Sequence, residues 1–302
     1  MHIVRYNHRS LKQGNYYSDW YFSFLRMGFV PIGIFGALIL KKNTVCVIPH
    51  EAIDFAGRQT FKFIIRHLSI WMFYKILFKI LSRKEVNLIF LSKNDYKDVE
   101  RKSKFLKKFK QYTLVTHTKS ALSTFMAENV KVTWLPFGWS NVTIDNRKKV
   151  SKEIWLGFRG NANVDWLSYD RDKIFGEFEG LNSLYKIDVK ISKNGEHFLY
   201  GEEYYSWLEK CKFQLNSESA NGTTSPRIFE QMVLGVCPVA IPGDYEGLIV
   251  PYQNYIPISA DIKNTIDDMN KEDLVQSIID NNKKLASKYE ISEMVKNFFN
   301  KL

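Results

Sequence analysis

The sequence predicts an α/β protein built from two parallel sheets covered by helices, and three observations predict it. Short apolar runs rich in Val, Ile, Leu and Phe alternate with longer amphipathic or basic segments, the order that builds strand–helix–strand units. A polar stretch, residues 141–152 (NVTIDNRKKVSK), interrupts this alternation, which then restarts. At 302 residues the chain is long enough for two compact domains of this kind.

Each element of the first domain, expected over residues 1–145, has its own signal. MHIVRYN alternates like a strand and is followed by a Gly-containing loop; residues 17–27 are aromatic-rich at helical spacing. NTVCVIP (43–49) reads as a buried strand that ends where His50-Glu51 begins a loop. An apolar, basic helix is expected over 60–82, then the strand VNLIFLS (86–92) and a strongly basic helix over 93–110. YTLVTHT (112–118) is a strand, 120–128 a short helix, and VKVTWLPFG (130–138) closes the domain.

The second domain, expected over 146–302, opens with EIWLGFRGNAN (153–163), a strand running into a Gly- and Asn-rich loop. A helix over 170–178, a strand over 185–192, a helix over 202–210 and the strand KFQLNSE (212–218) follow. Next come a polar loop, a helix over 226–234, the strand VCPVAIP and one long polar helix from 271 onward, a candidate to pack back on the first domain.

Charge divides at the same place. Residues 1–150 carry 26 Lys+Arg against 9 Asp+Glu, a net +17, and the remainder carries 17 against 23, a net −6. A basic half joined to a mildly acidic one implies a division of labour rather than a nucleic-acid coat. Residues 29–40 are apolar but too short to span a bilayer, and Lys62, Arg66, His67, Lys75 and Lys79 interrupt 61–81. An interfacial or buried helix is expected there, with an anionic membrane surface as a partner. Cys46, Cys211 and Cys237 form no metal or redox spacing, which with the absent signal-peptide pattern implies buried thiols and a cytoplasmic or peripheral protein.

The chemistry concentrates in NSESANGTTSPRIFEQMVLGVCPVAIP, residues 216–242. A strand ends in Asn221-Gly222-Thr223-Thr224-Ser225, Ser225 suits an N-cap, and Pro226 suits the first turn. Free backbone N–H groups at that helix start, with the helix dipole, would attract a diphosphate. Arg227 can add a bidentate phosphate contact, and Glu230 on the same face can accept from two ribose hydroxyls. Gly235 then ends the helix before the next strand.

SPRIFEQMVLGVCPVAI resembles the donor-binding segment of bacterial GT-B glycosyltransferases, particularly the group-1-like families of surface polysaccharide synthesis. Their pattern R-x-x-E-x-x-x-x-G-x-x-P-V falls on Arg227, Glu230, Gly235, Pro238 and Val239. VTWLPFG is similar to the segment that ends their first domain, and GFRGNAN to the first strand and phosphate-facing loop of their donor domain. The resemblance implies two Rossmann-like domains facing a cleft. It also implies a nucleotide-diphosphate sugar as co-substrate without another cofactor, Glu230 on the ribose, and Arg227 with the loop Gly222 to Ser225 on the diphosphate. Many retaining members carry a second glutamate where this chain has Gly222, which leaves the grip on the sugar and the stereochemical outcome open.

Arg159 and Arg171 are candidate partners for the leaving diphosphate, with Gly160 beside them in the phosphate-facing loop. The resemblance suggests an N-domain histidine facing the donor sugar, and His50, at a strand end where ligands gather in open α/β sheets, is the candidate. Asp54 and Glu51 are candidate acceptor bases, and His117 is a weaker candidate. Asp170-Arg171-Asp172 is the one D-x-D and falls at a helix start rather than a strand end, so metal-independent transfer is expected and no metal ligand is assigned.

The expected reaction is transfer of a sugar to a hydroxyl of a glycan or lipid-linked acceptor, as in capsule or lipopolysaccharide O-antigen synthesis. Two other readings stay open: a phosphoribosyl or phosphosugar transferase on the same fold, and a catalytically inactive GT-B scaffold. A nucleic-acid partner is not expected, because the motif lies in the acidic half and the basic residues lack interleaved aromatic recognition elements.

Overall fold

The computed structural model describes residues 1–5, 16–50, 52–53, 67–92, 97–144, 150–161, 170–181, 183–192, 199–219 and 222–301. These form two compact units, Met1–Pro136 and Phe137–Leu302. Glu51, Asp54 and Asn221 lie outside the described residues.

The first unit contains the strands β1 (His2–Val4), β2 (Val30–Ile32), β3 (Val45–Ile48), β4 (Asn87–Leu91), β5 (Tyr112–Thr116) and β6 (Val132–Trp134). They form one sheet in the order β2-β1-β3-β4-β5-β6, every neighbouring pair parallel. Its helices are α1 (Tyr16–Arg26), α2 (Ile34–Leu38), α3 (Leu68–Leu81), α4 (Val99–Leu106) and α5 (Ala121–Ala127). Near-continuous apolar strands such as NLIFL are what a parallel sheet buried on both faces requires. Phe78, Phe90, Phe105 and Phe109 interlock beneath it at centroid distances of 5.1–6.2 Å.

Several expected elements change on folding. The apolar stretch 29–40 resolves into β2 and α2, an edge strand and one short helix. Within the expected helix 60–82, α3 covers Leu68–Leu81, and residues 60–66 lie outside the described residues. Among the described residues no helix is long and apolar enough to cross a membrane. Within the expected basic helix 93–110, residues 93–96 lie outside the described residues, and α4 follows Asp98, which sits at φ +56°, and closes before the buried Phe109.

The second unit contains β7 (Ile154–Asn161), β8 (Ile187–Ser192), β9 (Cys211–Asn216), β10 (Cys237–Ala240) and β11 (Ile256–Pro257). Their order is β11-β10-β9-β7-β8, again all parallel. The chain winds outward to β8 and returns to the other side of β7, so the topological switch lies between β7 and β9, where open α/β sheets collect ligands. Helices α6 (Asn141–Ile144), α7 (Arg171–Glu179), α8 (Gly201–Glu209), α9 (Pro226–Val233), α10 (Ile262–Met269), α11 (Glu272–Ala286) and α12 (Ile291–Phe299) complete it.

The unit boundary falls at 136/137, upstream of the expected 145/146, because Phe137, Trp139 and Ile144 pack into clusters of the second unit. The same packing divides the C-terminal helix that the sequence presents as continuous. Trp139 donates its backbone N–H to Tyr289 O at 3.0 Å and its indole N–H to Ala286 O at 2.8 Å, and its own carbonyl accepts from Ile291 at 3.0 Å. Those carbonyls are released by the break between α11 and α12, and Glu290 recaps α12 by accepting from Glu293 N. Gly138 permits the approach: a Cβ there would stand 2.2 Å from Tyr289 O.

Candidate donor-binding site

The site grows from the end of β9 and the start of α9. Ser225 is the N-cap of α9 with extended backbone, its Oγ accepts from Arg227 N at 3.3 Å, and Pro226 occupies the first turn. The local code therefore reads as expected. The expectation of free backbone donors narrows, since Arg227 N, Ile228 N and Thr224 N around this helix start are in use. Ser225 O accepts from Ile228 N, and the Glu246 carboxylate accepts from Thr224 N at 3.2 Å. An anion at this helix start would meet the positive pole of α9 and the Arg227 guanidinium.

Thr223 and Thr224 are buried and hold the loop in shape. Thr224 Oγ1 donates to Tyr245 O at 2.6 Å, Tyr245 N donates to Glu218 Oε1 at 2.8 Å, and Ser219 N donates to Thr223 O at 2.8 Å. Glu218 and Thr224 thereby tie both sides of this loop to 243–247, in which Tyr245 and Glu246 both adopt positive φ. Gly222 has φ +74°, a left-handed conformation that disfavours any side chain. A glutamate at 222 would strain this loop, and Glu218, the nearest carboxylate to it, is committed to Tyr245 N.

Arg227 reaches across to β7, donating to the backbone carbonyl of Arg159, and its guanidinium lies 5.9 Å from the Tyr204 ring centre. Arg159 itself forms an ion pair with Asp188 and lies over the Trp207 ring, whose N–H donates to the same Asp188 oxygen at 2.8 Å. Arg159 is thus anchored to β8 and α8 by its side chain and positions Arg227 by its backbone. Two glycines make room: a Cβ at Gly157 would meet Trp207 and Cys211, and one at Gly160 would stand 2.4 Å from the Phe158 ring. Arg171 opens α7 with its guanidinium 5.9 Å from the centre of that same ring. Asp170 is the N-cap of α7, accepting from Lys173 N, so the D-x-D stands at a helix start.

Glu230 is 8% exposed and turns toward α8, where its Oε1 accepts from the Tyr205 hydroxyl at 2.9 Å. Burial pushes its pKa above the ordinary carboxylate range, while the Tyr205 bond and then the Arg227 charge pull against that rise. Burial, reinforced by the neighbouring carboxylate, likewise pushes the Tyr204 phenol well up. Asn216 and Gln231 exchange two amide hydrogen bonds at 2.8 and 2.9 Å and so fix α9 against β9. Sequence reasoning missed Tyr205, Asp188, Trp207 and Glu246; Tyr205 and Trp207 carried only the helical spacing of α8, and nothing local marked the acids.

In the first unit His50 follows the end of β3, beside the switch between β1 and β3. It is buried rather than exposed on a loop, with its Nε2 2.7 Å from Nε2 of His117. His117 Nδ1 lies 2.7 Å from Leu135 O, a pure acceptor, so that nitrogen carries a proton, and the Nε2 of a neutral His117 is left to accept from His50. Trp20 packs on both rings, at 5.7 and 4.8 Å. The structure therefore couples the weaker histidine candidate directly to the favoured one.

No family model and no curated protein matches the chain. Solved structures do. AviGT4, a glycosyltransferase involved in avilamycin A biosynthesis, matches with a TM-score of 0.52 at 10% identity, over 99% of this chain and 95% of that one. The chain has the GT-B glycosyltransferase fold. HepE from Anabaena, solved with UDP, matches at a TM-score of 0.48 and 10% identity over 89% of this chain and 81% of its own. A glycosyltransferase from Rickettsia africae matches at 0.49 and 10% over 98% and 83%. Within this GT-B frame the Ser225–Glu230 helix start lies on the second sheet, directly after the strand that borders its switch point.

Proposed function

We propose that the protein is a glycosyltransferase that takes its sugar from a nucleoside-diphosphate donor bound by the second unit. The observation that carries this reading is the pairing of Arg227, aimed by the Arg159 carbonyl, with Glu230, held by Tyr205, on one helix that begins beside the switch point. Glu230 takes the ribose hydroxyls, and Arg227 with the positive pole of α9 takes the diphosphate, supported by Arg171 and the loop Gly222 to Ser225. As the glycosidic bond to the diphosphate breaks, charge develops on its oxygens, and a fixed guanidinium stabilises that charge without a metal ion. The acceptor is a hydroxyl of a glycan or lipid-linked glycan of the bacterial cell surface, and His50, coupled to His117, is the candidate acid–base group of the first unit.

Calorimetric titration with UDP-, GDP- and ADP-sugars in the presence of EDTA tests the reading. One of them binds the wild type, and Arg227→Ala and Glu230→Ala each weaken binding at least ten-fold, a loss of about 1.4 kcal/mol or more for a charge-assisted contact. Folded wild-type protein that binds none of them would refute it.

A further inference from the structure

The first unit exposes an apolar surface that the donor site does not use. Phe35 and Ile39, in and just after α2, are 85% and 81% exposed, with Leu38 at 51% between them. The neighbouring helix α3 adds Leu68, Met72 and Ile76 along its outer face, while Ile70, Tyr74, Leu77 and Phe78 enter the core. Exposed side chains of this size grouped on adjoining helices need a covering partner.

The display is built rather than frayed. Lys84 donates to the carbonyls of Leu38 and Leu40, capping the end of α2 with a positive charge. Gly36 lets α2 lie close on β2, since a Cβ there would stand 2.8 Å from Ile32 Cβ. Both features hold α2 down by its inner side and leave Phe35 and Ile39 outward.

Charge identifies the covering partner. Residues 29–50 and 68–84, which carry this surface, contain six basic residues and no aspartate or glutamate. Lys84 is spent on α2 and Lys42 on Glu85 at 2.8 Å, leaving Lys41, Lys75, Lys79 and Arg83 exposed beside the apolar side chains. Apolar side chains flanked by cations that no acid opposes among the described residues match the interface of an anionic bilayer, where rings and aliphatic chains enter the acyl boundary and lysines meet the headgroups. Pairing of this face with the same face of a second copy would bring like charge together. We infer that α2 and the outer face of α3 form a peripheral docking surface for anionic lipid membranes. The inference goes beyond the donor reading and concerns the other unit.

The test uses full-length protein with vesicles of phosphatidylcholine alone or mixed with phosphatidylglycerol. Co-sedimentation occurs with the anionic vesicles only. Binding falls about ten-fold or more in Phe35→Ser/Ile39→Ser and several-fold in Lys75→Glu/Lys79→Glu. A Phe35→Trp variant shifts its emission to the blue on adding anionic vesicles, which places the side chain in the acyl boundary. Equal binding to neutral vesicles, no binding, unchanged binding by the variants, or a dimer that Phe35→Ser dissociates would each overturn the proposal. Nucleotide-sugar titration of the same variants stays at wild-type affinity, so failure of the donor reading and failure of this one are separable.

Discussion

The hydroxyl of Tyr205 donates to Oε1 of Glu230 at 2.9 Å inside the second unit, joining α8 to the helix that starts the donor site. This bond opposes the rise that burial imposes on the carboxyl. Tyr205→Phe removes it without removing the ring. The carboxyl then titrates still higher, so the pH below which donor affinity fades moves upward, and affinity at neutral pH drops by about 1–2 kcal/mol. Titration calorimetry across the pH range checks both; a merely structural role for Tyr205 would lower stability and leave the pH midpoint in place.

Glu230→Gln makes the complementary case. Because the native carboxyl is raised by burial, the folded state holds its proton more tightly than the unfolded state does. Stability from this group is therefore present at low pH and is lost as the pH rises past the usual glutamate value of about 4.3 toward the raised native one. Gln cannot ionise and does not suffer that loss. The variant is expected to melt higher than the wild type at pH 8, with the gain shrinking toward pH 4, while donor affinity falls. Thermal denaturation at several pH values reads the difference.

Asp188, Arg159 and Arg227 form a chain in which the side chain of one arginine positions the other through its backbone. Asp188→Asn keeps the Trp207 acceptor but weakens the ion pair, so β7 loses a restraint on its carbonyl. Donor binding is expected to weaken about three- to ten-fold, less than for Arg227→Ala. Arg227→Lys fails to restore wild-type affinity, since an ammonium cannot serve the Arg159 carbonyl and a phosphate in one plane. Binding measurements on the three variants order these effects.

What was legible in the sequence was what neighbouring residues decide. Ser225 and Pro226 announce the helix start because capping and fixed φ act within one turn. The parallel sheets were legible because apolar runs alternated with helices. Long-range pairings left no local trace. The break between α11 and α12 is made by Trp139, 147 residues before the Ala286 carbonyl it binds. His117 stayed a weak candidate because only the folded sheet brings β5 alongside the end of β3 through β4. Gly222 looked like a missing glutamate and is instead a position whose φ of +74° suits glycine.

All three cysteines are buried, and burial pushes the thiols of Cys46, Cys211 and Cys237 up to about 12. Almost no thiolate exists at pH 8, and access is closed as well. A disulfide reagent such as Ellman's is expected to label none of them in the native protein at that pH and all of them in guanidinium. Release of the chromophore should therefore follow unfolding rather than thiol chemistry.

Glu246 places a carboxylate on Thr224 N at 3.2 Å, directly before the N-cap of α9, from a backbone held at φ +58°. That carboxylate lies where the field of the helix favours an anion, which stabilises the loop and opposes a diphosphate at the same pole. Glu246→Gln keeps an acceptor for Thr224 N but removes the charge. Stability is expected to fall by about 0.5–1 kcal/mol, the scale of one charge at a helix end, while affinity for a nucleoside diphosphate rises several-fold. Thermal melts and nucleotide titrations of this variant, run with increasing salt, test the pair of effects together. Screening shrinks the affinity difference if repulsion is its source, and a variant that binds nucleotide more weakly at low salt would show that Glu246 supports the donor instead of opposing it.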